Sequence, residues 1–363
     1  MKKLTIGIAS ADKISASKST DGKPHWGGAG WVRLGQYIPH LTAHGFDVVE
    51  GTLVWNKTHF AIAPDSSNLE DLCDVDIIYM QRLMHDTLAP RIKQAQAKGQ
   101  VIVNDLDDWY WGLHPSNNAF ASSHPKNNPT ENVNHYKSVL NASTCVTVST
   151  PYLADRLSSF VRCPIVLLEN TVDVGRFTPV VHENVIPTVG WVGSTNHRSS
   201  DLEELRGIIK PLYDANEIVL MHSGSFFGAP TVAEKWGVPV EAVETVPATD
   251  PENYPSLLRM EIGLAPLSDT PFNHAKSDIK VLEYSASGIP WIASDLPSYN
   301  SLNKAWNLGF VAKKPRQWST YIRALKDPNI RSEEALALRE AVLQRDIGVG
   351  SKRLGDFLES LSS

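Results

Sequence analysis

Short runs of apolar residues recur along the chain, and a segment with helical spacing of apolar residues follows most of them. The runs are continuous rather than alternating, which is typical of strands buried on both faces in a parallel sheet. Six strands are predicted in each half of the chain. They lie at Thr5–Ala9, Asp47–Val49, Asp76–Met80, Val101–Asn104, Cys145–Ser149 and Ile165–Leu168, then at Thr188–Val192, Ile218–His222, Val243–Val246, Ile262–Pro266, Trp291–Ser294 and Gly309–Ala312. This rhythm predicts an α/β protein with two doubly wound domains.

Local signals predict where several helices begin and end. Apolar stripes of helical spacing stop at Gly45 and at Gly99, and glycine at these positions is typical of a helix end. Thr150 stands before a proline, so it is predicted to cap a helix. Ser200 and Glu203 form a capping box, which predicts a further helix start.

The two sets of strands meet near Glu169–Asp173, where we place the domain boundary. The predicted domains are residues 1–170 and 171–340, and the helix predicted at 341–363 either closes the second domain or crosses back to the first. The segment Gly112–His135 is rich in Asn, Ser, Pro and His. A loop this long inside a domain is either a binding element or disordered, and both remain open.

Composition narrows the class of protein. The 363 residues are enough for two or three domains of about 150 residues, and the paired strand rhythm favours two. Hydrophobic residues make up 42% and charged residues 20%, so a packed core is expected rather than disorder. The net charge is −6. The chain therefore lacks the overall basic character of proteins that bind nucleic acid through phosphates, although a local basic patch is compatible with it.

Other features point to the cytoplasm. Cys73, Cys145 and Cys163 lie in or beside apolar runs, which is typical of buried reduced thiols in a cytoplasmic protein. No apolar run reaches the ~18 residues of a membrane span. The first ten residues contain an apolar stretch that is too short for a signal peptide and is interpreted as the first strand.

The most informative stretch is 273–288. On a helix, Lys276, Lys280 and Glu283 share one face, and Gly288 ends the helix. Cations near a helix N-terminus suit a diphosphate, and a carboxylate one turn later suits ribose hydroxyls. A solvent-exposed face with a Lys–Glu pair explains the same spacing. Spacing alone leaves both interpretations open.

The run PFNHAKSDIKVLEYSASGIPWIAS resembles the signature of GT-B-fold, family 4-like glycosyltransferases. Five further segments agree with that family in type and order: VSTPYLADRL, LLENTVDVGRF, TVGWVGSTNHRSSDLEEL, VLMHSG and ENYPSLLRMEIGLAPL. The match covers most of residues 140–312, and the first half matches only in outline. The resemblance implies two Rossmann-like domains facing each other across a cleft. It also implies a nucleotide-sugar donor in the C-terminal domain, an acceptor in the N-terminal domain, retention of anomeric configuration, and no metal or other cofactor.

The resemblance also implies roles for individual residues. Gly193, Ser194 and His197 would lie at the phosphate or sugar, His222 beside the base, Asn273 and Lys276 at the diphosphate and sugar, and Glu283 at the ribose. The chain departs from the family at Ala275, where a glutamate is common, so the sugar's identity and orientation stay open. The usual phosphate-binding pair after the Gly-Ser turn is also absent, and Lys276 or Lys280 is expected to replace it.

Two segments of the first half carry the remaining candidates. In the loop Trp26–Trp31, Gly28 is predicted either to let backbone approach the donor's phosphate or to form a tight turn. The aspartates after the fourth strand suit a metal site, helix capping or acceptor handling, and we favour acceptor handling. The predicted catalytic residues are Asp105, Asp107, Asp108 and Lys276, and the predicted acceptor-binding residues are Trp26, Trp109, Trp111 and His114.

The sequence thus predicts a retaining glycosyltransferase that uses a UDP- or GDP-sugar. The segment GGAGWVRLGQY faintly resembles phage-encoded glycosyltransferases, so a modified DNA base, a virion protein and a glycan are all possible acceptors. Two alternatives remain. One is a degenerate domain that binds a nucleotide or sugar without turnover, and the other is a sugar-nucleotide epimerase of the same fold.

Overall fold

Each of the twelve predicted strands is present in the computed structural model, which describes residues 3–14, 24–65, 71–115, 117, 119–120, 133–195 and 200–361. In the first part of the chain, the elements are β1 Thr5–Ser10, β2 Lys13–Ile14, β3 His25–Trp26, α1 Gly28–Arg33, α2 Ile38–His44, β4 Asp47–Asn56, β5 His59–Pro64, β6 Cys73–Asp74, β7 Ile77–Gln81, α3 Leu88–Gln96, β8 Val101–Leu106, α4 Val133–Ala142, β9 Cys145–Val148, α5 Pro151–Ser158 and β10 Ile165–Leu167.

The second part continues the same alternation. Its elements are β11 Thr188–Val192, α6 Ile209–Asp214, β12 Val219–Ser225, α7 Val232–Trp236, β13 Val243–Pro247, β14 Ile262–Ala265, α8 Pro271–His274, α9 Ile279–Ala286, β15 Trp291–Ser294, α10 Pro297–Trp306, β16 Phe310–Ala312, α11 Pro315–Ala324, α12 Pro328–Ala341 and α13 Ile347–Ser360. Short 3-10 turns at Tyr110–Gly112, Leu202–Leu205 and Tyr254–Leu257 lie between them.

The first sheet has the strand order β10-β9-β8-β7-β1-β4-β5-β6. Its six predicted strands pair in parallel, and β5 and β6 extend the sheet in antiparallel fashion. The prediction ended the second strand at Val49, whereas β4 continues to Asn56 and returns as β5. The turn has Lys57 at φ 57°, without the glycine that usually marks such a hairpin. The sequence pattern therefore missed this hairpin.

The second sheet is parallel throughout, in the order β13-β12-β11-β14-β15-β16. Separate apolar clusters cover it: Tyr284 and Trp291 belong to one, and Trp191 and Trp236 to the other. Apolar side chains cover both faces of the central strands, which explains their continuous apolar sequences.

The observed helix ends test the capping residues and terminal glycines predicted from the sequence. Gly45 and Gly99 adopt φ +121° and +87° after α2 and α3, and Thr150 Oγ1 accepts a hydrogen bond from the Leu153 amide at 3.2 Å, as predicted. The capping box at Ser200 is wrong. The segment Leu202–Leu205 is a 3-10 turn without a side-chain cap. The Ser200 hydroxyl instead lies 3.1 Å from Ser268 Oγ, because a loop of the second sheet packs there.

The chain divides into two units. The first contains Met1–Leu113, Phe120–Asn170 and Ile347–Ser363, and the second contains His114–Ala119 and Thr171–Asp346. Helix α13 therefore belongs to the first unit, where its apolar residues join the cluster formed by α2, β1 and β7.

The cysteines and the lengths of the helices relate to the predicted cytoplasmic location. All three cysteines are free, and burial raises the pKa of Cys145 to about 12. No helix within the described residues is long and apolar enough to cross a membrane. The cytoplasmic location stays a prediction.

Candidate functional site

The centre of the second sheet offers a crevice for a ligand. Strands β12 and β13 lie on one side of β11, and β14 to β16 lie on the other. Connections therefore leave β11 and β14 in opposite directions, and open α/β sheets bind ligands beyond the carboxyl ends of such strands. Gly193 follows β11 with φ +142°, and a Cβ there would lie 3.0 Å from the Trp191 ring. Only glycine fits this turn without strain.

Lys280 brings a cation to this turn. It lies in the first turn of α9, and its Nζ donates a hydrogen bond to the Val192 carbonyl oxygen at 2.6 Å. The ammonium is also 5.7 Å from the centroid of the Trp191 ring. The side chain thus carries a positive charge, together with the amides at the start of α9, to the carboxyl end of β11.

Lys276 does not share a helical face with Lys280, so that prediction is wrong. Thr270 caps the short helix α8, which ends at His274, and α9 begins only at Ile279 after Asp278. Lys276 lies in the connection between the helices, with its ammonium 4.5 Å from the centroid of the Phe272 ring. Its place in the site depends on this turn rather than on helical spacing.

Glu283 lies one turn after Lys280. Its Oε2 accepts a hydrogen bond from the Tyr254 hydroxyl at 2.6 Å. Burial raises the pKa of Glu283 to about 7, although the Lys280 charge and the Tyr254 hydrogen bond lower it. The carboxyl group therefore changes its charge near neutral pH. Burial and the Glu283 charge also raise the pKa of Tyr254 well above its usual range, so the phenol remains a donor.

His222 contacts the Gly193 turn through a hydrogen bond and a stacked ring. Its side chain is buried, stacks on Trp191 with 5.3 Å between ring centroids, and places Nε2 3.0 Å from the Gly193 carbonyl oxygen. Burial lowers the pKa of His222, which favours the neutral ring. Ser194, the next residue of the turn, is half-buried. His197 lies outside the described residues.

Asn273, which the resemblance places at the diphosphate and sugar, uses its side-chain amide for contacts within the second unit. Its side chain is buried, and its Nδ2 donates to Asp201 Oδ1 at 2.7 Å and to the Ser268 carbonyl oxygen at 2.9 Å. The amide therefore joins two loops of the second unit. Ala275, which stands where the family often has a glutamate, is fully buried.

The first unit places the three aspartates in different environments. Asp105 is fully buried, and its carboxylate accepts hydrogen bonds from Arg33 Nη2 and Thr147 Oγ1, both at 2.7 Å. Arg33 also donates to Asn170 Oδ1 at 2.7 Å. This buried ion pair leaves Asp105 without access to an acceptor, which corrects the prediction that it handles one.

Asp107 and Asp108 are half-buried at the end of β8. Burial raises the pKa of Asp107 to about 6, against the opposing charge of Arg33. Asn170 Nδ2 lies 3.4 Å from Asp107 Oδ1 and joins it to the network around Arg33. The Asp107 carboxyl group is thus partly accessible, and its pKa lies close to neutral pH. Both properties suit it to accept a hydrogen bond from an acceptor hydroxyl.

In the glycine loop of the first unit, one backbone amide is already hydrogen-bonded to a side chain of the same unit. The Gly30 amide donates to Asp12 Oδ2 at 3.1 Å, and Asp12 also pairs with Arg82. A Cβ on Gly28 would meet no heavy atom within 4 Å, so open space adjoins it. Trp26 packs against Gly35 and carries the Lys13 ammonium 4.9 Å from its ring centroid. This contact gives Trp26 a packing role.

Trp109 and Trp111 are in contact with each other, with 5.0 Å between ring centroids. Trp109 is buried and Trp111 is half-buried. His114 is exposed and belongs to the second unit rather than the first.

Residues that could hold a metal do not coincide with the aspartates. Across the described part of the chain, the one group of three His, Cys, Asp or Glu side chains whose ligand atoms lie within 4.8 Å of one another is His44, Asp356 and Glu359. Asp105, Asp107 and Asp108 do not converge in this way.

Sequence reasoning missed the buried ion pair of Arg33 and the contact between Tyr254 and Glu283. Arg33 stands beside the apolar stripe of Leu34, Ile38 and Leu41, and a cation next to such a stripe was a usable signal for a buried ion pair. The resemblance implies that the Val246–Tyr254 loop covers the base, but only the fold brings the Tyr254 hydroxyl to Glu283.

Comparison with solved structures identifies the fold. Sucrose-phosphate synthase from Thermosynechococcus elongatus is 15% identical, with a TM-score of 0.67 over 99% of both chains. AviGT4, a glycosyltransferase involved in avilamycin A biosynthesis, is 14% identical, with a TM-score of 0.62 over 99% of this chain and 98% of that one. Anabaena Alr3699/HepE, solved with UDP and glucose, is 12% identical, with a TM-score of 0.60 over 98% and 100%.

These similarities confirm the predicted fold class, the two-sheet α/β fold of GT-B glycosyltransferases. No protein-family model and no curated protein matches the sequence.

Proposed function

We propose that this chain is a glycosyltransferase that moves a sugar from a nucleoside-diphosphate sugar, with UDP or GDP as the nucleotide, to an acceptor hydroxyl. The arrangement of Lys280 and Glu283 around the end of β11 carries this proposal. Lys280 Nζ lies 2.6 Å from the Val192 carbonyl oxygen, and Glu283 follows one turn later on the same helix. A cation beside a helix N-terminus and a carboxylate one turn away suit a diphosphate and a ribose, respectively.

Departure of the diphosphate is the step that these residues assist. The bond between the anomeric carbon and the phosphate oxygen breaks, and negative charge develops on that oxygen. Lys280 and the first amides of α9 stabilise this charge, and Lys276 adds a second cation. Glu283 accepts hydrogen bonds from the ribose hydroxyls in place of the one from Tyr254.

Asp107 is the proposed partner of the acceptor hydroxyl. The acceptor oxygen forms the new bond to the anomeric carbon, and its proton passes to the departing diphosphate while Asp107 orients the hydroxyl. Attack from the face that the diphosphate leaves retains the anomeric configuration, in line with the family 4-like resemblance. The reaction so written needs no metal ion.

Binding without turnover is the second candidate. It is favoured by Asn273, whose amide is engaged with Asp201 and Ser268, and by the buried Ala275. Neither side chain offers the donor's sugar a carboxylate. A degenerate domain of this kind would keep the nucleotide site of Lys280 and Glu283 and lose transfer.

A panel of UDP- and GDP-sugars tests the proposal. Thermal shift identifies the donor, because a ligand that binds the folded state raises the melting temperature. Release of UDP or GDP is then measured with and without candidate acceptors. Lys280→Ala should lower kcat/KM by about 10²–10³-fold, the usual effect of removing a donor to a developing oxyanion.

Lys352→Ala is the matched control, because Lys352 is an exposed lysine paired with Asp356 on α13. This variant should behave as wild type. Binding of a donor without any nucleotide release would support the degenerate domain, and an altered nucleotide-sugar formed without acceptor would support an epimerase.

A further inference from the structure

A surface groove in the first unit is lined in part by Trp109 and Trp111, which follow the proposed acceptor partner Asp107 in sequence. Its volume is about 410 Å³, and it is lined by aromatic rings and by the last turn of α5. Trp109, Trp111 and Phe160 form its apolar floor, and Asp155 and Arg156 belong to its polar rim. The volume is within the range of sites that hold small organic ligands.

The floor is held in place by its own packing. The Trp111 ring is parallel to Tyr136, with 6.2 Å between centroids, and its centroid lies 4.9 Å from that of Phe160. Tyr136 is in turn fixed by a hydrogen bond from its hydroxyl to the Asp105 carbonyl oxygen at 3.0 Å. Rings that are already ordered lose little conformational entropy when a ligand binds.

The polar rim carries one negative and one positive side chain, on the consecutive residues Asp155 and Arg156. The guanidinium carbon of Arg156 lies 5.7 Å from the centroid of the Trp109 ring, and Arg156 and Asp155 are both exposed. Arginine supplies planar hydrogen-bond donors and aspartate supplies acceptors. Vicinal hydroxyl groups need both, and the apolar face of a sugar ring packs on an aromatic side chain.

A nucleic acid fits this lining less well. Strong binding to nucleic acid relies on several cations that neutralise phosphates. Arg156 is the cation of the lining, Lys137 adds an ammonium 4.8 Å from the Phe160 ring centroid, and Asp155 would repel a phosphate. The lining therefore favours a neutral, polyhydroxylated ligand.

Chain connectivity relates the groove to Asp107. Trp109 follows Asp107 by two residues, so their Cα atoms are at most ~7.6 Å apart. We propose that the groove binds a sugar unit of the carbohydrate acceptor whose hydroxyl Asp107 orients. This assignment rests on the proposed function and selects a glycan from among the acceptor classes.

Intrinsic tryptophan fluorescence of the whole 363-residue chain tests oligosaccharide binding in the groove without donor. Titration with maltotriose, mannotriose and chitotriose should give a saturable change with at least one of them. Arg156→Ala should weaken that binding about tenfold, as expected for loss of a charged hydrogen bond, and Asp155→Ala should weaken it similarly. Both side chains are exposed, so neither change should unfold the protein.

Arg162→Ala is the matched control, because Arg162 is an exposed arginine outside the groove lining. It should leave the affinity unchanged. The inference is wrong if none of the three oligosaccharides binds, or if Arg156→Ala and Asp155→Ala bind as well as wild type. It is also wrong if hydroxymethylated DNA binds in a salt-dependent manner that Arg156→Ala abolishes.

Two readouts separate this inference from the proposed function. Nucleotide release without acceptor, by hydrolysis of the donor, reports on the donor site of the second unit and does not need the groove. Oligosaccharide binding without nucleotide release overturns the glycosyltransferase and with it the role of the groove as an acceptor site. Nucleotide release without oligosaccharide binding overturns the groove alone.

Discussion

The two sheets differ in how they use the charged residues at their carboxyl ends. In the first unit, Arg33 pairs with Asp105 and Arg82 pairs with Asp12, so cations and carboxylates neutralise each other. In the second unit, Arg345 pairs with Asp278 just before α9, but Lys280 donates to a backbone carbonyl oxygen and Glu283 accepts a hydrogen bond from Tyr254. The edge of the first sheet therefore carries structural ion pairs, whereas the edge of the second combines one such pair with groups suited to an anionic ligand.

This difference has a physical cause. A buried ion pair satisfies both charges and leaves little for a ligand to gain. A cation held by a carbonyl oxygen keeps its net charge, so a diphosphate placed beside it would still be attracted. Strand order places residues at the edge of a sheet, but the pairing of their charges determines what that edge can bind.

The largest expected effect is a loss of stability, and it tests whether the ion pair of Arg33 and Asp105 in the first unit is structural. Asp105→Ala leaves Arg33 charged and buried, which should lower the free energy of unfolding by about 3–5 kcal/mol. Asp107→Ala removes a half-buried carboxyl whose pKa is already raised by burial, so it should cost little stability and lower transfer instead. Urea denaturation of both variants measures the difference. Equal stability of the two would contradict the structural role of Asp105.

Alanine substitutions at one glycine of each unit compare the two units through a smaller change in stability. Gly193→Ala places a Cβ 3.0 Å from the Trp191 ring at φ +142°, which should cost about 1–3 kcal/mol of stability. Gly28→Ala adds a Cβ in open space within α1, where alanine is favoured over glycine, and should be neutral or stabilising by up to about 1 kcal/mol. Thermal unfolding measures both variants. A loss of stability in Gly28→Ala alone would reverse the expected order.

Loss of donor turnover in a stable Gly28→Ala variant would have a separate meaning. It would indicate that a ligand uses the open space beside Gly28. It would thereby support the prediction that Gly28 lets the backbone approach the donor's phosphate.

The smallest expected effect is a pH dependence of nucleotide binding. Because burial raises the pKa of Glu283 to about 7, the folded protein keeps this proton at pH values where the unfolded chain has lost it. The contribution of Glu283 to stability is therefore fully present below its usual pKa and is lost as the pH rises to about 7. A ligand that needs the carboxylate should bind up to about tenfold more tightly at pH 8 than at pH 6.

Glu283→Gln is the control for this dependence. It cannot ionise, whereas the nucleotide's own phosphate still titrates in the same range. The difference between the two pH profiles, measured by calorimetry with UDP or GDP, isolates Glu283. Identical profiles would show that the Glu283 carboxylate does not contact the nucleotide.

Much of the fold could be predicted because the strands are continuous apolar runs. β15 was predicted to the residue, and Thr150, Gly45 and Gly99 mark real helix ends. These signals are local, since a cap or a left-handed glycine depends on its near neighbours in the chain. The hairpin of β4 and β5 was missed because its turn has no glycine, and the Ser200 capping box failed because Ser268 contacts that hydroxyl.

The candidate site was predictable in its outline. Spacing and resemblance placed Lys280, Glu283 and the Gly193 turn together, and the structure brings Lys280 to the end of β11. Spacing could not show that α8 and α9 are separate helices, which moves Lys276 off the shared face. It also could not show that Asn273 is engaged by Asp201, which lies 72 residues away in the chain.

The sequence by itself determined the parallel strands of the two sheets and the residue types at their edges, because burial on both faces dictates apolar runs and local caps end helices. Only the tertiary structure decided which charged groups are neutralised. Asp105 and Asp107 are two residues apart in sequence, yet one lies in a buried ion pair and the other is half-buried, with burial raising its pKa to about 6. Charge pairing depends on contacts between distant segments, and those contacts exist only in the folded chain.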